Sequence, residues 1–460
     1  MVLTAAMIAT ATGGTLHAGD ANTVIKGISI DSRTLREGDL FFAIVAGRDG
    51  HDYVDAALAR GAAGAVVSAR RPSVERAVVI QVQDTTLALQ DLGRYIRRES
   101  GATVIAITGS AGKTTTKETI AEFLSGRYRV ARSAGNLNNH LGLPLSLAEL
   151  RHGADIAVME LGMNRPGEIR LLVGIAEPSV RVWTNVGDAH LGHFASRDEI
   201  ADAKGEILEG ATANDVLVCN ADDPLVAART SSFAGRTMRF GLSPDADVRA
   251  DEVQDLGLDG TRLKLHVGSR AIDVSTPLLG RGNLSNLLAA AAVATSFAVP
   301  LEEIAARAAT LKPAPHRGAV VRLPKGVVVL DDSYNSSPSA LRRALEVVAK
   351  EERVRRKAAV LGEMLELGDH SRRLHESSGV AAAAAGLDRL VVVGGDAAQA
   401  LADAAVRAGM PAEAVSVTQS SSAAADLIMP WLAAGDLVLV KGSRGIKTDT
   451  VVQRITEEFS

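Results

Sequence analysis

The chain has 460 residues, 47% of them hydrophobic and 23% charged, which is enough for about three domains with buried cores and speaks against a disordered protein. A net charge of -4 without a long basic run argues against nucleic acid as the main partner and leaves room for a local cationic pocket that holds a small anion. Cys219 is the single cysteine, so no intramolecular disulfide and no cysteine-rich zinc site is available, and the chain reads as cytoplasmic.

The stretch 1–11 is apolar but has no basic leader and is not read as a signal peptide. Residues 24–100 alternate short strands and helices, among them a strand over 39–45, a helix over 54–60 and a strand over 65–67, which makes a small α/β module. A polar stretch, 97–102, separates it from an apolar β-branched strand over 103–107. That strand runs into Thr-Gly-Ser-Ala-Gly-Lys-Thr-Thr-Thr at 108–116, followed by a helix-competent stretch from Lys117.

A glycine-rich turn between a buried strand and a helix is built to grip phosphate. Gly109 and Gly112 let the backbone of Ser110 and Ala111 turn its N–H groups toward an anion. Lys113 adds a point charge, the Thr114 hydroxyl suits a magnesium ion, and Thr115 completes the set of nucleotide-binding candidates from Gly109 to Thr115. The spacing, Gly-x-x-Gly-Lys-Thr, is shorter by two residues than the common form, so the weight rests on its strand-to-helix context.

Beyond the loop, apolar runs over 155–160, 180–185 and 215–220 each end in polar residues and alternate with helical segments. Such alternation predicts a mainly parallel sheet with helices on both faces, whose ligands sit at the carboxyl ends of the strands. Glu160, Asn185 and the nearby His190 are then placed to share a crevice with the phosphate loop. The alanine-rich run 287–299 is too short to span a bilayer, so no membrane insertion is expected. Residues 311–318 carry two prolines and read as a hinge. After it, strands over 327–331, 358–361, 389–393 and 436–440 alternate with helices in a doubly wound, Rossmann-like pattern, with Asp332, Glu363, Gly394-Gly395 and Lys441 at the strand ends. The expected fold is α/β in three domains: 1–102, a central P-loop domain with a parallel sheet over 103–313, and a Rossmann-like domain over 314–460.

Several segments together resemble the Mur ligase family: Asp31-Ser32-Arg33, Asp49-Gly50-His51, the loop 108–115, Gly135-Asn136-Leu137-Asn138-Asn139, Glu160-Leu161-Gly162-Met163-Asn164, Asn185-Val186-Gly187-Asp188-Ala189-His190, Asp331-Asp332-Ser333-Tyr334-Asn335, Gly362-Glu363-Met364 and Lys441-Gly442-Ser443. The resemblance covers nearly the whole chain. The pair Asn138-Asn139 and the run Asp332-Ser333-Tyr334-Asn335 are similar to the branch that joins D-Ala-D-Ala to UDP-N-acetylmuramoyl-tripeptide. The alternatives are the sister enzyme adding the third stem residue and, from a different class, a P-loop switch protein that hydrolyses nucleotide. Three places depart from the family's usual pattern: Gly282 stands where histidine is common, Glu363 where aspartate is common, and the 47–51 loop is slightly short.

The resemblance implies that ATP phosphorylates the tripeptide carboxylate and that the dipeptide amine attacks the acyl phosphate. It implies catalytic or metal roles for Lys113, Thr114, Glu160, His190 and Lys204, with magnesium between the phosphates and a second magnesium near His190 held also by a carbamylated Lys204. By residue type alone Lys204 reads as a solvated helix lysine and His190 as a loop residue. Asn283, Arg317, Asp332, Tyr334 and Asn335 are implied to bind nucleotide. Ser32, Arg33, Asp49, Gly50 and His51 are implied to receive the UDP-sugar, although Asp31-Ser32-Arg33 reads equally as a turn with a surface ion pair. Asn136, Asn138 and Asn139 would meet the muramoyl-peptide, and Lys441 and Ser443 the dipeptide side or domain closure. A monomer is expected.

Overall fold

The computed structural model describes residues 1–69, 77–188 and 191–460. Three larger sheets organise it, one in each of three α/β units. In the N-terminal unit the sheet order is Thr15–Ala18, Val78–Gln81, Gly64–Val67, Asp39–Phe42 and Gly27–Ser29, parallel except for the first strand. The strand expected over 39–45 stops at Phe42 because the 46–50 loop folds back on its end; a Cβ at Gly50 would lie 2.5 Å from the backbone N and O of Ile44. The helix Thr85–Ser100 is capped by Asp84, whose carboxylate accepts from Thr86 N and Leu87 N, and is stopped by the left-handed Gly101 (φ 65°). Its apolar face, with Leu89, Leu92 and Ile96, joins a core that also holds Leu143 and Leu147 of the central unit.

The central sheet runs Val130–Arg132, Ile156–Glu160, Thr103–Thr108, Val180–Trp183, Val216–Asn220, Arg236–Gly241 and Val248–Asp255, all parallel. Val104, Ile105, Ala106 and Ile107 are fully buried, as a strand covered on both faces requires. One face carries Leu89, Leu143 and Ile169 from their helices, and the other Ile120 and Phe123 with Leu284 and Leu287. The alanine-rich run lies in the helix Gly280–Ser296, whose residues 289–292 are all alanine and fully buried; small side chains let it pack closely beside the helix Lys113–Leu124.

Two features differ from the expectation. The sheet ends in an antiparallel meander, Val248–Asp255, Thr261–Val267 and Arg270–Thr276, whose charged outer face and register shift between Asp251 and Gln254 hide the strand alternation in the sequence. The helix after the phosphate loop begins at Lys113 rather than Lys117, because the loop itself supplies the N-terminus through Gly112.

The third sheet has the order Ala319–Arg322, Val328–Asp332, Asp436–Lys441, Arg356–Gly362, Arg389–Val393 and Val415–Thr418, with only the first strand antiparallel. The Gly394-Gly395 turn, where such folds receive a phosphate, is closed by its own chain: Glu363 Oε2 accepts from Gly395 N at 2.9 Å. This unit is tied to the central meander by Glu351, which accepts from Leu258 N (3.0 Å) and pairs with Arg353 (2.7 Å), while Arg353 also reaches Asp259. Among the described residues no helix is long and apolar enough to cross a membrane.

Candidate active site

A cleft of about 1120 Å³ opens between the carboxyl ends of the central strands and the third unit. Its floor is the phosphate loop. Gly109 (φ 151°) and Gly112 (φ 83°) are sterically required: a Cβ would meet Thr184 Oγ1 at 1.9 Å and Asn286 Oδ1 at 2.1 Å respectively. The loop is braced from the next strand, where Asn185 Oδ1 accepts from Ala111 N and Asn185 Nδ2 donates to Ala111 O, both at 2.9 Å. Thr184 Oγ1 donates to the same carbonyl at 2.9 Å, and Ser110 N donates to Asn185 O at 3.0 Å.

Lys113 Nζ donates to Gly109 O at 2.7 Å, and burial pushes its ammonium below the ordinary lysine range, with Glu160 opposing and Arg317 adding to the shift. Glu160 is the buried carboxylate at the end of Ile156–Glu160. One oxygen accepts from Thr114 Oγ1 at 2.9 Å and the other from Asn138 Nδ2 at 3.0 Å, while its backbone N donates to Ser133 Oγ. Ser133 is held in turn by the buried Lys117, whose ammonium donates to its carbonyl at 2.6 Å. A hydroxyl and one carboxylate side by side form an oxygen-only donor set, which fits magnesium.

Lys204 is 1% exposed on the helix Arg197–Gly205 and forms no ion pair among the described residues. Burial, and then the charge of Lys113, drive its ammonium well below the usual lysine range, so the solvated lysine that residue type alone suggests is not what the fold holds. His190 lies outside the described residues, and among those described no group of three or more His, Cys, Asp or Glu could hold a metal.

The third unit contributes the opposite wall. Arg317 stacks over the Tyr334 ring, 4.1 Å from its centroid. Asp332 pairs with Lys441 at 2.5 Å, and the same ammonium donates to Asn335 O at 2.9 Å, so the buried Lys441 fixes the Asp332–Asn335 segment. Ser443 Oγ accepts from Leu365 N, which holds the cleft-lining 365–367 loop. On the helix Gly280–Ser296, Asn283 Nδ2 donates to Leu279 O and its Oδ1 accepts from Asn286 Nδ2. Asn286 Oδ1 accepts from Thr116 Oγ1 at 3.3 Å, tying this helix to the phosphate-loop helix. Asn286 and Thr184 were not singled out from sequence, although the three-residue spacing from Asn283 to Asn286 puts both amides on one helix face.

Asn136, Asn138 and Asn139 line the cleft's other end, where Asn139 Oδ1 accepts from Leu141 N and Gly142 N. Ser32, Arg33, Asp49, Gly50 and His51 lie apart from the cleft lining. Arg33 is exposed and forked onto Asp31 (2.9 and 2.8 Å), holding that carboxyl down at about 2, which is the turn with a surface ion pair. His51 is buried, with Nδ1 2.6 Å from Asp49 Oδ1 and Nε2 accepting from Ser68 N at 2.9 Å.

A nucleotide-type phosphate loop facing a Rossmann-like unit across one cleft defines a class of two-walled phosphoryl-transfer site. The chain belongs to the Mur ligase family: the family's catalytic domain matches residues 24–97, its middle domain 107–294 and its glutamate ligase domain 316–444. It is 33% identical to UDP-N-acetylmuramoyl-tripeptide–D-alanyl-D-alanine ligase of Bacillus subtilis, over 95% of this chain and 94% of that one. A crystal structure of MurF from Acinetobacter baumannii superposes with a TM-score of 0.88 at 33% identity, covering 99% of each chain. The MurF ligase of Thermotoga maritima in complex with ADP gives a TM-score of 0.81 at 30% identity, over 94% of this chain and 97% of that one.

Proposed function

We propose that this chain is an ATP-dependent amide ligase. It joins D-Ala-D-Ala to UDP-N-acetylmuramoyl-tripeptide, giving UDP-N-acetylmuramoyl-pentapeptide, ADP and phosphate for peptidoglycan synthesis in the cytoplasm. The observation that carries the reading is the phosphate loop with its Thr114–Glu160 pair facing Arg317 and the Lys441-fixed Asp332–Asn335 segment across a single cleft. A nucleotide held between two walls needs both, and a simple P-loop switch needs only the first.

The loop amides and Lys113 neutralise and orient the phosphates, so that the substrate carboxylate, itself an anion, can approach the γ-phosphorus in line. Magnesium, when bound, would supply charge neutralisation at the phosphates, and Thr114 and Glu160 are the residues that would hold it. Lys204, whose ammonium is disfavoured by its burial and by the charge of Lys113, is suited to react with carbon dioxide and become an oxygen-bearing carbamate; with His190 it would serve a second magnesium. The carboxylate oxygen attacks phosphorus and ADP leaves. The dipeptide amine then adds to the acyl carbon, and the tetrahedral adduct expels phosphate and a proton. Asn283, Arg317, Asp332, Tyr334 and Asn335 hold the nucleotide. Asn136, Asn138 and Asn139 take the peptide stem, and Ser32, Arg33 and the Asp49–His51 loop take the UDP-sugar. The working form is a monomer with domain limits at 1–102, 103–313 and 314–460. Closure of the cleft protects the acyl phosphate from water.

The test is phosphate release from ATP with magnesium and UDP-muramoyl-tripeptide, comparing D-Ala-D-Ala with single amino acids. Release that requires the dipeptide, together with the pentapeptide product by mass, supports the reading. Release with a single amino acid would point to the sister ligase, and release without either would leave a nucleotide hydrolase.

A further inference from the structure

The first turn of the helix Gly280–Ser296 faces the helix Pro338–Lys350 across the cleft, and the two approach through glycines. A Cβ on Gly280 would sit 3.0 Å from Val347 Cγ2, and one on Gly282 would sit 3.0 Å from Nε and 3.2 Å from Cδ of Arg343. The arginine therefore lies close over this backbone, and a side chain at 282 would crowd it. Beside it the cleft is lined by Leu279, Leu330, Ala344 and Val347, an apolar slot.

Arg343 itself is half-buried and, among the described residues, makes no hydrogen bond and no ion pair. Burial pushes its pKa down, and the nearby Asp332 and Glu346 oppose this, but a guanidinium stays charged. A cation of this kind without a partner, bordering an apolar slot inside the nucleotide cleft, can offer the face of its guanidinium to a flat aromatic group. Gly282 lies four residues, about 6 Å of helix, from Asn286, which touches the phosphate-loop helix, so the slot is about one helical turn away from the phosphate loop. Lys113 and the loop amides are the groups placed to take phosphate.

We infer that Arg343, seated over Gly282, is the residue that stacks on the nucleotide's base, closing the apolar slot with its guanidinium plane. Planar, weakly hydrated guanidinium groups stack on aromatic faces in a way an ammonium does not. The inference rests on the reading of this cleft as the ATP site.

Calorimetric titration of ADP, and separately of inorganic tripolyphosphate, into the full-length protein and its variants tests both. Arg343→Met keeps the stem and removes charge and plane; Gly282→Leu keeps the arginine and pushes it off its seat. Each is expected to weaken ADP about 3- to 30-fold while leaving tripolyphosphate unchanged. The double variant is expected to be no worse than the weaker single one, because both act through one contact. ADP affinity within about twofold of wild type in Arg343→Met overturns the inference. So does an equal loss of tripolyphosphate affinity, which would put Arg343 on the phosphates, or additive losses in the double variant. If Arg343→Met fails to fold, Gly282→Leu decides by the same readings. Wild-type protein that binds neither ADP nor tripolyphosphate would instead remove the ATP reading, and this inference with it.

Discussion

Replacing Gly112 by alanine perturbs the phosphate loop at the point where its geometry is most constrained. The residue sits at φ 83°, which costs an L-amino acid about 1–2 kcal/mol. Its new methyl would stand 2.1 Å from Asn286 Oδ1, so that amide must swing away and give up the bonds from Thr116 Oγ1 and to Asn283 Oδ1. Those two long hydrogen bonds are worth about 0.5–1 kcal/mol each. The total is about 2–4 kcal/mol, of which roughly 0.4–1 kcal/mol returns through the reduced freedom of the unfolded chain. The cost has two places to appear. If the loop keeps its conformation, stability falls; if the loop relaxes, it must be restored on binding, and ADP affinity falls instead. Urea unfolding and ADP calorimetry on the same protein should therefore give losses that sum to about 1–3.5 kcal/mol, and adding Asn286→Ala should recover none of the backbone strain. A summed loss under about 1 kcal/mol would refute the claim that Gly112 is required by its backbone and its neighbour.

Lys204→Met should raise stability by about 1–3 kcal/mol in urea unfolding, because an unpaired buried amine is replaced by an apolar chain of similar length. Ligase activity should meanwhile fall at least about 100-fold and return in part with short carboxylic acids in Lys204→Ala; undiminished activity would contradict the proposed role. Glu351 has a carboxyl held at about 2 by Arg353, against an ordinary 4.5, so its contribution is present above pH 4.5 and lost as pH falls toward 2. The difference corresponds to at most about 3 kcal/mol at neutral pH. The stability gap between wild type and Glu351→Gln should shrink below pH 4.5, and a pH-independent gap would contradict the assignment. His375 is buried, accepts from Met364 N at 2.9 Å and is held below its ordinary 6.5 by burial. It is neutral when folded and charges on unfolding, so its contribution is lost as pH falls below 6.5. Melting temperature should drop more between pH 6.5 and 5 in wild type than in His375→Gln, and equal drops would show that the imidazole is not held neutral.

The parallel strands were legible because strands buried on both faces must be nearly continuous apolar runs, and those ending at Glu160, Asn220 and Lys441 lie within a residue or two of where the apolar pattern stops. The meander from Val248 to Thr276 was not, since one face is solvated and a bulge breaks its period. The phosphate loop could be read from its glycines, whose need for positive φ leaves a mark in the sequence. What supports the loop could not: Asn185 bracing Ala111, Lys117 holding Ser133, and Lys441 engaged with Asp332 rather than exposed are side-chain contacts between segments far apart in the chain. Lys204 shows the same limit from the other side, because its helix reads as amphipathic and polar while the fold buries the amine.

The acyl phosphate is the step on which the ligase account turns, and oxygen transfer tests it directly. UDP-muramoyl-tripeptide labelled with heavy oxygen in its terminal carboxylate is incubated with ATP, magnesium and D-Ala-D-Ala, and the released phosphate is weighed by mass spectrometry. Through an acyl phosphate, a carboxylate oxygen must leave with the phosphate, so labelled phosphate should form in step with the amide. Amide formed with unlabelled phosphate would contradict it.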